Sequence, residues 1–499
     1  MTMFHAGCLV GIQARPVFIE ARTGTGLPTV DIVGLPERGV RESRVRVRAA
    51  LESVGFGFPK QHLVINLAPG NLRKSGAHYD LAIALAVLAS NGRIDVMPDT
   101  LVLGELSLTG DLRPVRGVVA QLAGAAQRGL RKAIIPAGNA SEGAFAPGIE
   151  VRSARNIREV LDHIAEVEAL PLAEAAPSTT SVSAVDMADV RGQPAARRAL
   201  EIAAAGGHHL LMMGPPGAGK TMLASRIASI MPPPSNDDAV TMAAIASTAG
   251  RFRAWGERPF RAPHHTASAV AMIGGGEPIR PGEVTLAHGG VLFLDELPEF
   301  PRHVIETFRT TMERGEVRIA RAKQSALMPA APLVVAAMNP CPCGYAGDPE
   351  RVCRCHYEKI ERYRGRVSGP LIDRFDMHLV VRRVPARAIR SEERGESSAA
   401  IAARVAEARA MRPSDESLEH LLALANEAGL SLLDRACDAL GLSARAYVKA
   451  LRVGLTIACL QGRTQIEAAD VAEAIQYRVL DRHKKTEMTQ ETRRILRSS

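Results

Sequence analysis

The sequence has few aromatic residues and no long apolar run, and each absence argues against a class of function. Aromatic side chains make up 4% of the 499 residues, with one tryptophan, so stacking of bases on aromatic side chains is not an obvious way to bind nucleic acid. No apolar run reaches the roughly 18 residues that a transmembrane helix requires. The N-terminus lacks the basic and then apolar pattern of a signal peptide. We therefore expect a cytoplasmic protein without a membrane partner.

Length and charge are the informative bulk properties. A chain of 499 residues is too long for one hydrophobic core, and about three domains are expected. The net charge of +9 and the pI near 9.4 are compatible with a polyanionic partner. The charge is too modest to identify that partner by itself.

The chain is organised around a glycine-rich turn between an apolar run and a helical stretch. The run at residues 210–213 predicts a short buried parallel strand, and residues 222–230 have helical periodicity. The turn matches the P-loop pattern in its strand-before, helix-after setting. Its residues are Gly214, Pro215, Pro216, Gly217, Ala218, Gly219, Lys220 and Thr221. Its N–H groups can bind phosphate, Lys220 can reach the β- and γ-phosphates of ATP, and the Thr221 hydroxyl can bind Mg²⁺. An ordinary glycine-rich turn is the alternative.

Two further apolar strands end in polar side chains. Residues 291–294 precede Asp295 and Glu296, and residues 333–338 precede Asn339. The carboxyl ends of parallel strands form the edge at which ligands bind in open α/β sheets. Asp295 is therefore predicted to hold Mg²⁺, Glu296 to orient and deprotonate the attacking water, and Asn339 to hold that water or sense the γ-phosphate.

These segments, together with Gly-Pro-Leu-Ile-Asp-Arg-Phe-Asp ending at Asp376, resemble AAA+ ATPases of the magnesium-chelatase and minichromosome-maintenance branch. The resemblance implies that Arg374 is an arginine finger, which reaches the γ-phosphate of a neighbouring subunit. A salt bridge to Asp373 or Asp376 is the alternative. A finger that acts between subunits requires a ring or filament, and the resemblance implies a homo-oligomer that is usually a hexamer.

Residues 258–276 fit the same branch. They contain His264, His265 and a glycine triplet, and they resemble the helix-2 insert that lines the pore of the ring. The two histidines could be ligands or catalytic groups. We expect a polar loop contact instead, because no pair of acids lies near them in sequence.

A second insertion of this branch is at residues 315–324 and resembles the pre-sensor hairpin. Its alternation is predicted to place Arg318 against Arg321, with Lys323 near the tip. Such a basic hairpin suits contacts to phosphates.

Four of the seven cysteines are clustered in sequence. Cys341, Cys343, Cys353 and Cys355 offer four thiolates, which suits a tetrahedral zinc site, whereas disulfides are not expected in a cytosolic chain. Their C-x-C spacing is tighter than the usual C-x₂-C, and His356 could replace one ligand. Free thiols that pack the loop are the alternative. Basic residues outnumber acidic ones nearby, so a zinc-stiffened knuckle that contacts DNA is a hypothesis.

Residues 1–170 alternate β-like and helical runs and predict an independent α/β domain. The stretches Asn-Leu-Ala-Pro-Gly-Asn-Leu-Arg-Lys-Ser-Gly and Gly-Glu-Leu-Ser-Leu-Thr-Gly-Asp-Leu resemble the proteolytic domain of Lon-type proteases, whose Ser–Lys dyad needs a hydroxyl and an amine of lowered pKa. His78 falls where that family's serine falls, and Val119 where its lysine falls. The nearby Ser75 and Lys74 are adjacent in sequence, so their side chains diverge. A Lon-like fold without protease activity is predicted.

The rest of the chain completes a three-domain organisation. Residues 171–185 have the small, polar, proline-bearing composition of a linker, and residues 186–383 carry the ATPase motifs. Residues 384–499 have helical periodicity and predict the helical lid of a AAA+ protein. There, Leu-Ser-Ala-Arg-Ala-Tyr-Val-Lys resembles the sensor-2 helix, which implies that Arg445, rather than Arg452, touches the nucleotide. The predicted fold class is a multidomain α/β protein with a Lon-like α/β domain, a P-loop AAA+ α/β domain and a C-terminal helical lid.

Further motifs extend the resemblance to the whole chain. With Asn-Pro-Cys-Pro-Cys-Gly-Tyr, Gly-Glu-Ser-Ser and Ala-Ile-Gln-Tyr-Arg in place, it resembles the ComM/YifB family. That resemblance implies a hexameric, ATP- and Mg²⁺-dependent DNA helicase, which promotes branch migration during natural transformation. Its implied partners are single-stranded or branched DNA and recombination proteins. The chain departs from the family at residues 408–430, where a compact turn replaces a longer arginine- and asparagine-bearing stretch.

Two other function classes compete with a DNA motor. A AAA+ ATPase could remodel a partner protein, as chelatase subunits do for metal insertion into a porphyrin. A chelatase complex needs a subunit with the adhesion motif Asp-x-Ser-x-Ser, which does not occur here. An ATP-dependent protease is disfavoured by His78 and Val119. Stimulation of ATP hydrolysis by DNA distinguishes the motor from the other two.

Overall fold

The computed structural model of the chain describes residues 3–175, 185–277, 279–321, 324–384, 394–478 and 480. The described chain has three parts: a domain with a mixed sheet, a domain with a parallel sheet, and a C-terminal set of helices. This confirms the fold class expected from the sequence. The domain boundaries stay predictions, and residues 176–184 of the expected linker lie outside the described residues.

The N-terminal domain is built on a seven-stranded mixed sheet. The strands of this sheet are β1 (Met3–Val10), β2 (Gln13–Gly24), β3 (Val30–Val33), β4 (His62–Ala68), β5 (Thr100–Val102), β8 (Lys132–Pro136) and β9 (Glu150–Ala154). Strands β6 (Glu105–Leu106) and β7 (Leu112–Arg113) form a separate pair. Its helices are α1 (Arg38–Ser53), α2 (Asp80–Ser90), α3 (Val118–Gln127), α4 (Ala140–Gly143) and α5 (Ile157–Ile164). The sheet order is β3-β4-β2-β1-β5-β8-β9, in which β2 runs antiparallel to β1 and β4. Helix α2 is buried on every side except at its last residue, which explains its almost wholly apolar sequence.

The central domain is built on a five-stranded parallel sheet. The strands of this sheet are β10 (Leu210–Met213), β11 (Phe260–Arg261), β14 (Val291–Leu294), β17 (Leu333–Met338) and β18 (Met377–Val380). Two separate antiparallel pairs are formed by β12 (Gly274–Gly275) with β13 (Arg280–Pro281) and by β15 (Glu316–Arg321) with β16 (Gln324–Pro329). Its helices are α6 (Pro194–Gly206), α7 (Lys220–Ile230), α8 (Asn236–Thr248), α9 (Ala269–Ile273), α10 (Glu283–Leu286), α11 (Arg302–Arg314), α12 (Tyr357–Arg364) and α13 (Gly369–Ile372).

The sheet order β11-β14-β17-β10-β18 brings the ends of β10, β14 and β17 to one edge. Leu210 and Met212 pack into one hydrophobic core, and Leu211 and Met213 into another. Both faces of the sheet are therefore covered, which explains the uninterrupted apolar runs of its central strands.

The C-terminal part consists of helices that pack on the central domain. They are α14 (Ser398–Met411), α15 (Leu418–Leu424), α16 (Glu427–Leu440), α17 (Ala444–Leu460) and α18 (Ala468–Gln476). Their apolar side chains share one core with α6 and α7. Ion pairs from Arg404 to Glu201 and from Arg198 to Glu473 join the two parts at the rim of this core. The helical lid predicted from the sequence is confirmed as a helical unit.

The N-terminal domain docks on the central domain through several separate contacts. Val119 of α3 packs against Ala243 and Ala244 of α8, and the rings of Phe145 and Trp255 stack with centroids 4.9 Å apart. The turn between β1 and β2 packs against the hairpin β15–β16. The two domains are therefore in contact over both the helical layer and the hairpin.

The hairpin β15–β16 corrects one prediction. Arg318 lies opposite Leu327, and Arg321 lies opposite Gln324, so Arg318 does not face Arg321. Residues three positions apart on one strand point to opposite faces, which the sequence interpretation overlooked. Lys323 lies outside the described residues.

Candidate active site

The glycine-rich turn lies between β10 and α7, at the carboxyl edge of the central sheet. Gly217 and Gly219 have φ angles of 75° and 87°, where a side chain would be strained. Helix α7 begins at Lys220, directly after the turn, so its unpaired N–H groups face the turn and can bind phosphate. The segment has the strand–turn–helix setting of a P-loop. The remaining residues of the turn are Gly214, Pro215, Pro216 and Ala218.

The side chain of Lys220 joins the turn to the end of β17. Its Nζ donates hydrogen bonds to the carbonyl oxygens of Gly214 at 2.7 Å and Pro215 at 3.1 Å, and to Asn339 Oδ1 at 3.0 Å. Burial lowers the pKa of the amine, and the two acids after β14 act in the opposite direction. The amine is therefore positioned to contact a phosphate bound in the turn.

A hydroxyl and a carboxylate meet beside this lysine. Thr221 Oγ1 donates a hydrogen bond to Asp295 Oδ2 at 2.9 Å, and both side chains are accessible to solvent. Mg²⁺ prefers oxygen ligands and retains several waters, so an open pair of oxygens suits it. The donor set fits the Mg²⁺ site predicted from the sequence.

Glu296 has an unusual backbone and an unforeseen partner. Its φ of 52° lies in the left-handed region, and its N–H donates to Asp295 Oδ1 at 2.9 Å. A non-glycine residue in this region is often at a functional site. Glu296 Oε2 lies 3.3 Å from Nδ1 of His265, whose ring packs edge-on against Phe300. Sequence reasoning expected only a loop contact for this histidine. The sequence signal that could have predicted this contact is the short strand β11 before His265, which could lie beside β14 in the sheet.

Arg374 lies away from the P-loop of its own chain. It comes just before β18, at the edge of the sheet where the parallel strands begin, and it forms an ion pair with Glu313 of α11. Its pairing is therefore not with Asp373 or Asp376, the alternatives considered from the sequence. Burial lowers the pKa of Arg374, and the nearby positive charges of Arg445 and Arg309 lower it further.

Arg445 also lies at that opposite edge rather than beside the P-loop. It is the second residue of α17, close enough to Arg374 to affect its pKa. One turn later, Lys449 pairs with Asp376 at 3.0 Å, just before β18 begins. The structure thus brings the two predicted arginines together, but it does not bring Arg445 to Lys220. Contact of Arg445 with the nucleotide of its own subunit is not supported by this placement.

The four clustered cysteines converge as predicted. The sulfur atoms of Cys341, Cys343, Cys353 and Cys355 all lie within 4.8 Å of one another. The backbone N–H of Ala346 donates to Cys341 Sγ at 3.3 Å, as outer groups around a metal often do. Four thiolates so close repel one another unless a cation is present. The donor set fits tetrahedral Zn²⁺.

The cysteine knuckle, defined here as residues 341–355, touches the nucleotide site. Asn339 stands just before Cys341, and Gly344 packs so closely against Pro216 of the glycine-rich turn that a β-carbon there would overlap the proline ring. The arrangement links the conformation of the knuckle to that of the turn.

The positions expected for a Lon-type dyad are closed. His78 is partly buried and its Nε2 lies 2.8 Å from the carbonyl oxygen of Gly7, and desolvation of the ring lowers its pKa to about 4. Val119 is covered by α8. Lys74 is fully buried and donates to the carbonyl oxygens of Gly34 at 2.8 Å and of Pro69. Val119 and Lys74 are therefore fully buried, and the partly buried His78 is engaged by the main chain.

Comparisons with known proteins extend over the chain. The family model described as magnesium chelatase, subunit ChlI, matches residues 186–389. The model of subunit ChlI of Mg-chelatase matches residues 19–139, and that of the ChlI C-terminal part matches residues 395–478. In the described part of the chain, no helix combines the length and apolarity that crossing a membrane requires.

Similar proteins are found in several organisms. Competence protein ComM of Haemophilus influenzae is 39% identical over 504 residues, covering 97% of this chain and 98% of the relative. Protein YifB of Salmonella typhimurium is 40% identical over 502 residues, with the same coverage of both chains. A shorter similarity links 26% of this chain to 18% of a peroxisomal Lon protease homolog of Caenorhabditis elegans, at 33% identity.

Proposed function

The chain belongs to the ComM/YifB family of magnesium-chelatase-like AAA+ ATPases, and we propose that it is an ATP-driven DNA motor that works as a ring. The observation that carries the ATPase activity is the convergence of the P-loop with Thr221, Asp295, Glu296 and Asn339 at one sheet edge. The rest of the proposal adds the ring and the DNA substrate.

Each side chain at that edge has a distinct role in the proposed hydrolysis. Lys220 would bind the β- and γ-phosphates of ATP, and Thr221 with Asp295 would hold Mg²⁺, which would neutralise phosphate charge. Glu296 accepts the proton of the attacking water, and Asn339 orients that water. The hydrogen bond between Lys220 and Asn339 supports a single site that spans the turn and β17.

A ring is supported by the two arginines that stand apart from the P-loop. Arg374 and Arg445 lie at the edge opposite to Lys220, where they cannot act on the nucleotide of the same chain. We propose that Arg374 reaches the γ-phosphate of the ATP that a neighbouring subunit binds. Arg445, which lies near Arg374 in the same subunit, would approach that same ATP molecule. Such a site is complete only between subunits, and six subunits are the expected number.

Two observations support DNA as the substrate: the name of a close relative and the positive net charge of this chain. One relative, identical at 39% of aligned positions over nearly its whole length, is named a competence protein, and the net charge of this chain is +9. We propose single-stranded or branched DNA as the track, branch migration as the activity, and recombination proteins as partners during natural transformation. Helicase action would then follow from ATP-driven movement of the ring along phosphates.

Zinc is proposed for the cysteine knuckle. The four sulfur atoms lie within 4.8 Å of one another, and the knuckle packs on Pro216 and adjoins Asn339. Zn²⁺ would act there as a structural ion that fixes the loop between β17 and α12.

A second candidate is a AAA+ ATPase that remodels a partner protein. It is favoured by the chelatase family models, which match the central domain and both flanking parts. It predicts ATP hydrolysis that does not respond to DNA.

The test measures ATP hydrolysis and strand displacement on a forked DNA for wild type, Lys220→Ala and Arg374→Ala. Wild type is expected to hydrolyse ATP faster with DNA and to displace the strand, and both variants are expected to lose both activities. Arg38→Ala is the matched control, because Arg38 is an almost fully exposed arginine paired only with Glu42. Rapid hydrolysis that is indifferent to DNA, without displacement, would contradict the motor and favour a protein partner.

A further inference from the structure

We propose that a cavity at the edge of the central sheet opposite the P-loop binds the phosphate group of a small organic molecule. This cavity, called here the amino-edge cavity, has a volume of about 350 Å³. Its lining includes His209, Gly290 and Pro332, which stand directly before β10, β14 and β17. The parallel strands begin at this edge and carry the P-loop and its acids at their other ends. The inference therefore concerns a second site and does not depend on the proposed ATPase function.

Two arginines bring positive charge to the cavity from different parts of the chain. Arg258 lies just before β11, and Arg409 lies on α14 of the C-terminal part. Arg258 donates hydrogen bonds to the carbonyl oxygens of Pro232 at 2.7 Å and of Gly289, which hold its guanidinium group in place. Among the described residues, no carboxylate forms an ion pair with either arginine. Guanidinium groups with donors to spare are well suited to phosphate oxygens.

The two arginines oppose each other's charge. Burial, and next the positive charge of Arg409, lowers the pKa of Arg258 to about 10. Burial also lowers the pKa of Arg409. Asp238 is the one acid among the described lining residues; it is exposed, and its charge acts in the opposite direction on both arginines without pairing with either. A bound anion would relieve the repulsion between the two guanidinium groups, so the cavity favours a negatively charged ligand.

Two histidines add neutral hydrogen-bond donors to the lining. Nδ1 of His209 accepts the N–H of Val334 at 3.1 Å, and Nδ1 of His288 accepts the N–H of Ala331 at 3.1 Å. A neutral imidazole that accepts at Nδ1 carries its proton on Nε2. Burial lowers the pKa of both rings, which favours this neutral form. Neither Nε2 has a hydrogen-bond partner in the part of the chain that the structure describes, so both can donate to a phosphate oxygen.

Apolar side chains form much of the remaining wall. They are Met231, Val284, Phe308, Met312 and Leu333. A few polar groups set among apolar ones are typical of sites for small molecules, and the volume lies near the lower end of the roughly 300–1,000 Å³ of such sites. A bare inorganic anion would leave this wall without a contact. The lining therefore fits a small molecule that joins a phosphate group to an apolar body.

The position of the cavity gives its ligand a structural effect. Arg258 and the two histidines belong to the central domain, whereas Arg409 belongs to the C-terminal helices. A phosphate group that accepts hydrogen bonds from both arginines would join these two parts. Because it binds only the folded arrangement, the ligand is expected to raise the melting temperature of the protein.

The test measures the binding of phenyl phosphate and of inorganic phosphate by calorimetric titration. Every protein in it carries Lys220→Ala, which weakens phosphate binding at the P-loop equally in all arms. Arg409 is exposed, so Arg409→Ala should leave the fold intact. Phenyl phosphate is expected to bind about tenfold more weakly to this variant, because a hydrogen bond to a charged group is lost. It is also expected to raise the melting temperature less than it does when Arg409 is present.

The matched control is Arg435→Ala, which removes an exposed arginine on α16 whose Nε donates to the carbonyl oxygen of Ser431 at 3.3 Å. This change should leave the affinity for phenyl phosphate unaltered. No binding of phenyl phosphate, or equal affinity with and without Arg409, would overturn the proposal. Inorganic phosphate that binds as tightly as phenyl phosphate would contradict an organic ligand. A single-stranded oligonucleotide whose binding alone depends on Arg409 would assign the cavity to nucleic acid instead.

Discussion

Lys74 in the N-terminal domain and Lys220 in the central domain are both desolvated amines that donate to main-chain carbonyl oxygens. Burial lowers the pKa of both. They differ in what surrounds them. Lys74 is fully buried, whereas Lys220 adjoins the exposed Thr221 and the partly exposed Asp295. A lysine of lowered pKa is therefore not a site by itself; access and neighbouring oxygens are what distinguish Lys220 as the proposed phosphate ligand.

The same contrast separates two histidines. His78 is partly buried and its ring is hydrogen-bonded to the carbonyl oxygen of Gly7, so it contributes to the fold. His265 is partly exposed and touches a single carboxylate, so its contact can be made and broken. The two N-terminal side chains bond to main-chain carbonyl oxygens, whereas the two in the central domain contact polar side chains that are at least partly exposed.

The largest expected effect separates the two lysines. Lys220→Ala removes the proposed phosphate ligand and is expected to lower the rate of ATP hydrolysis roughly a thousandfold, as loss of a transition-state contact does. Lys74→Met should keep the rate within about twofold while lowering the melting temperature, because two buried carbonyl oxygens lose their donor. Hydrolysis and thermal unfolding measured on both variants check this. Equal loss of ATP hydrolysis in the two variants would contradict the distinction between Lys220 and Lys74.

The buried ion pair of Asp80 in the N-terminal domain predicts that its loss greatly lowers the stability of the fold. This buried carboxylate accepts from Ser43 at 2.5 Å and from Arg46 at 2.6 Å. Asp80→Ala leaves Arg46 unpaired and is expected to cost about 3–5 kcal/mol of unfolding free energy. Hydrogen exchange of the α2 amides would measure it. Glu42→Ala, which breaks an exposed pair with Arg38, is the control and should cost under about 1 kcal/mol.

A pH titration sharpens the contrast at His78. Its folded pKa of about 4 lies below the usual value near 6.5, so the unfolded chain binds the proton first. Stability is therefore lost as pH falls from about 6.5 to about 4, by about 3 kcal/mol in total. His78→Gln, which cannot titrate, should remove that share of the pH dependence. Denaturation of the N-terminal domain at several pH values checks it, and an unchanged slope would argue against burial as the cause.

The smallest expected effect tests the link between the knuckle and the nucleotide. Cys341→Ser removes one of the four proposed zinc ligands, so we expect the variant to lose zinc and, because the knuckle packs on Pro216, to have a KM for ATP raised about tenfold. Cys437→Ser on α16, outside the cluster, should change neither. Metal analysis and steady-state kinetics provide the two readouts. Zinc-free protein with an unchanged KM for ATP would show that the knuckle does not influence the nucleotide site.

Local patterns were sufficient to predict much of this molecule. The glycine-rich turn, the acids after β14 and the cysteine cluster are each encoded in a few consecutive residues, and the structure brings them together because parallel strands end at one edge. The sequence also shows that His78 and Val119 stand where the dyad's serine and lysine are expected, but it does not show how these positions pack.

Features that depend on tertiary packing could not be predicted. The contact of His265 with Glu296 depends on β11 lying beside β14, and the position of Arg445 depends on how α17 docks near β18. Neither of these contacts between elements can be predicted from the periodicity of a local stretch of sequence. The error at Arg318 is of a different kind, since it came from misapplying the two-residue period of a strand.

The most direct test of the central claim mixes two inactive variants. Lys220→Ala has an intact Arg374, and Arg374→Ala has an intact P-loop, so a ring that contains both carries some complete sites between neighbouring subunits. Each variant alone should hydrolyse ATP at background rates, and mixing them should restore measurable hydrolysis that rises with the fraction of mixed rings. Mixed rings that form, as judged by mass, yet remain inactive would contradict a site shared between subunits.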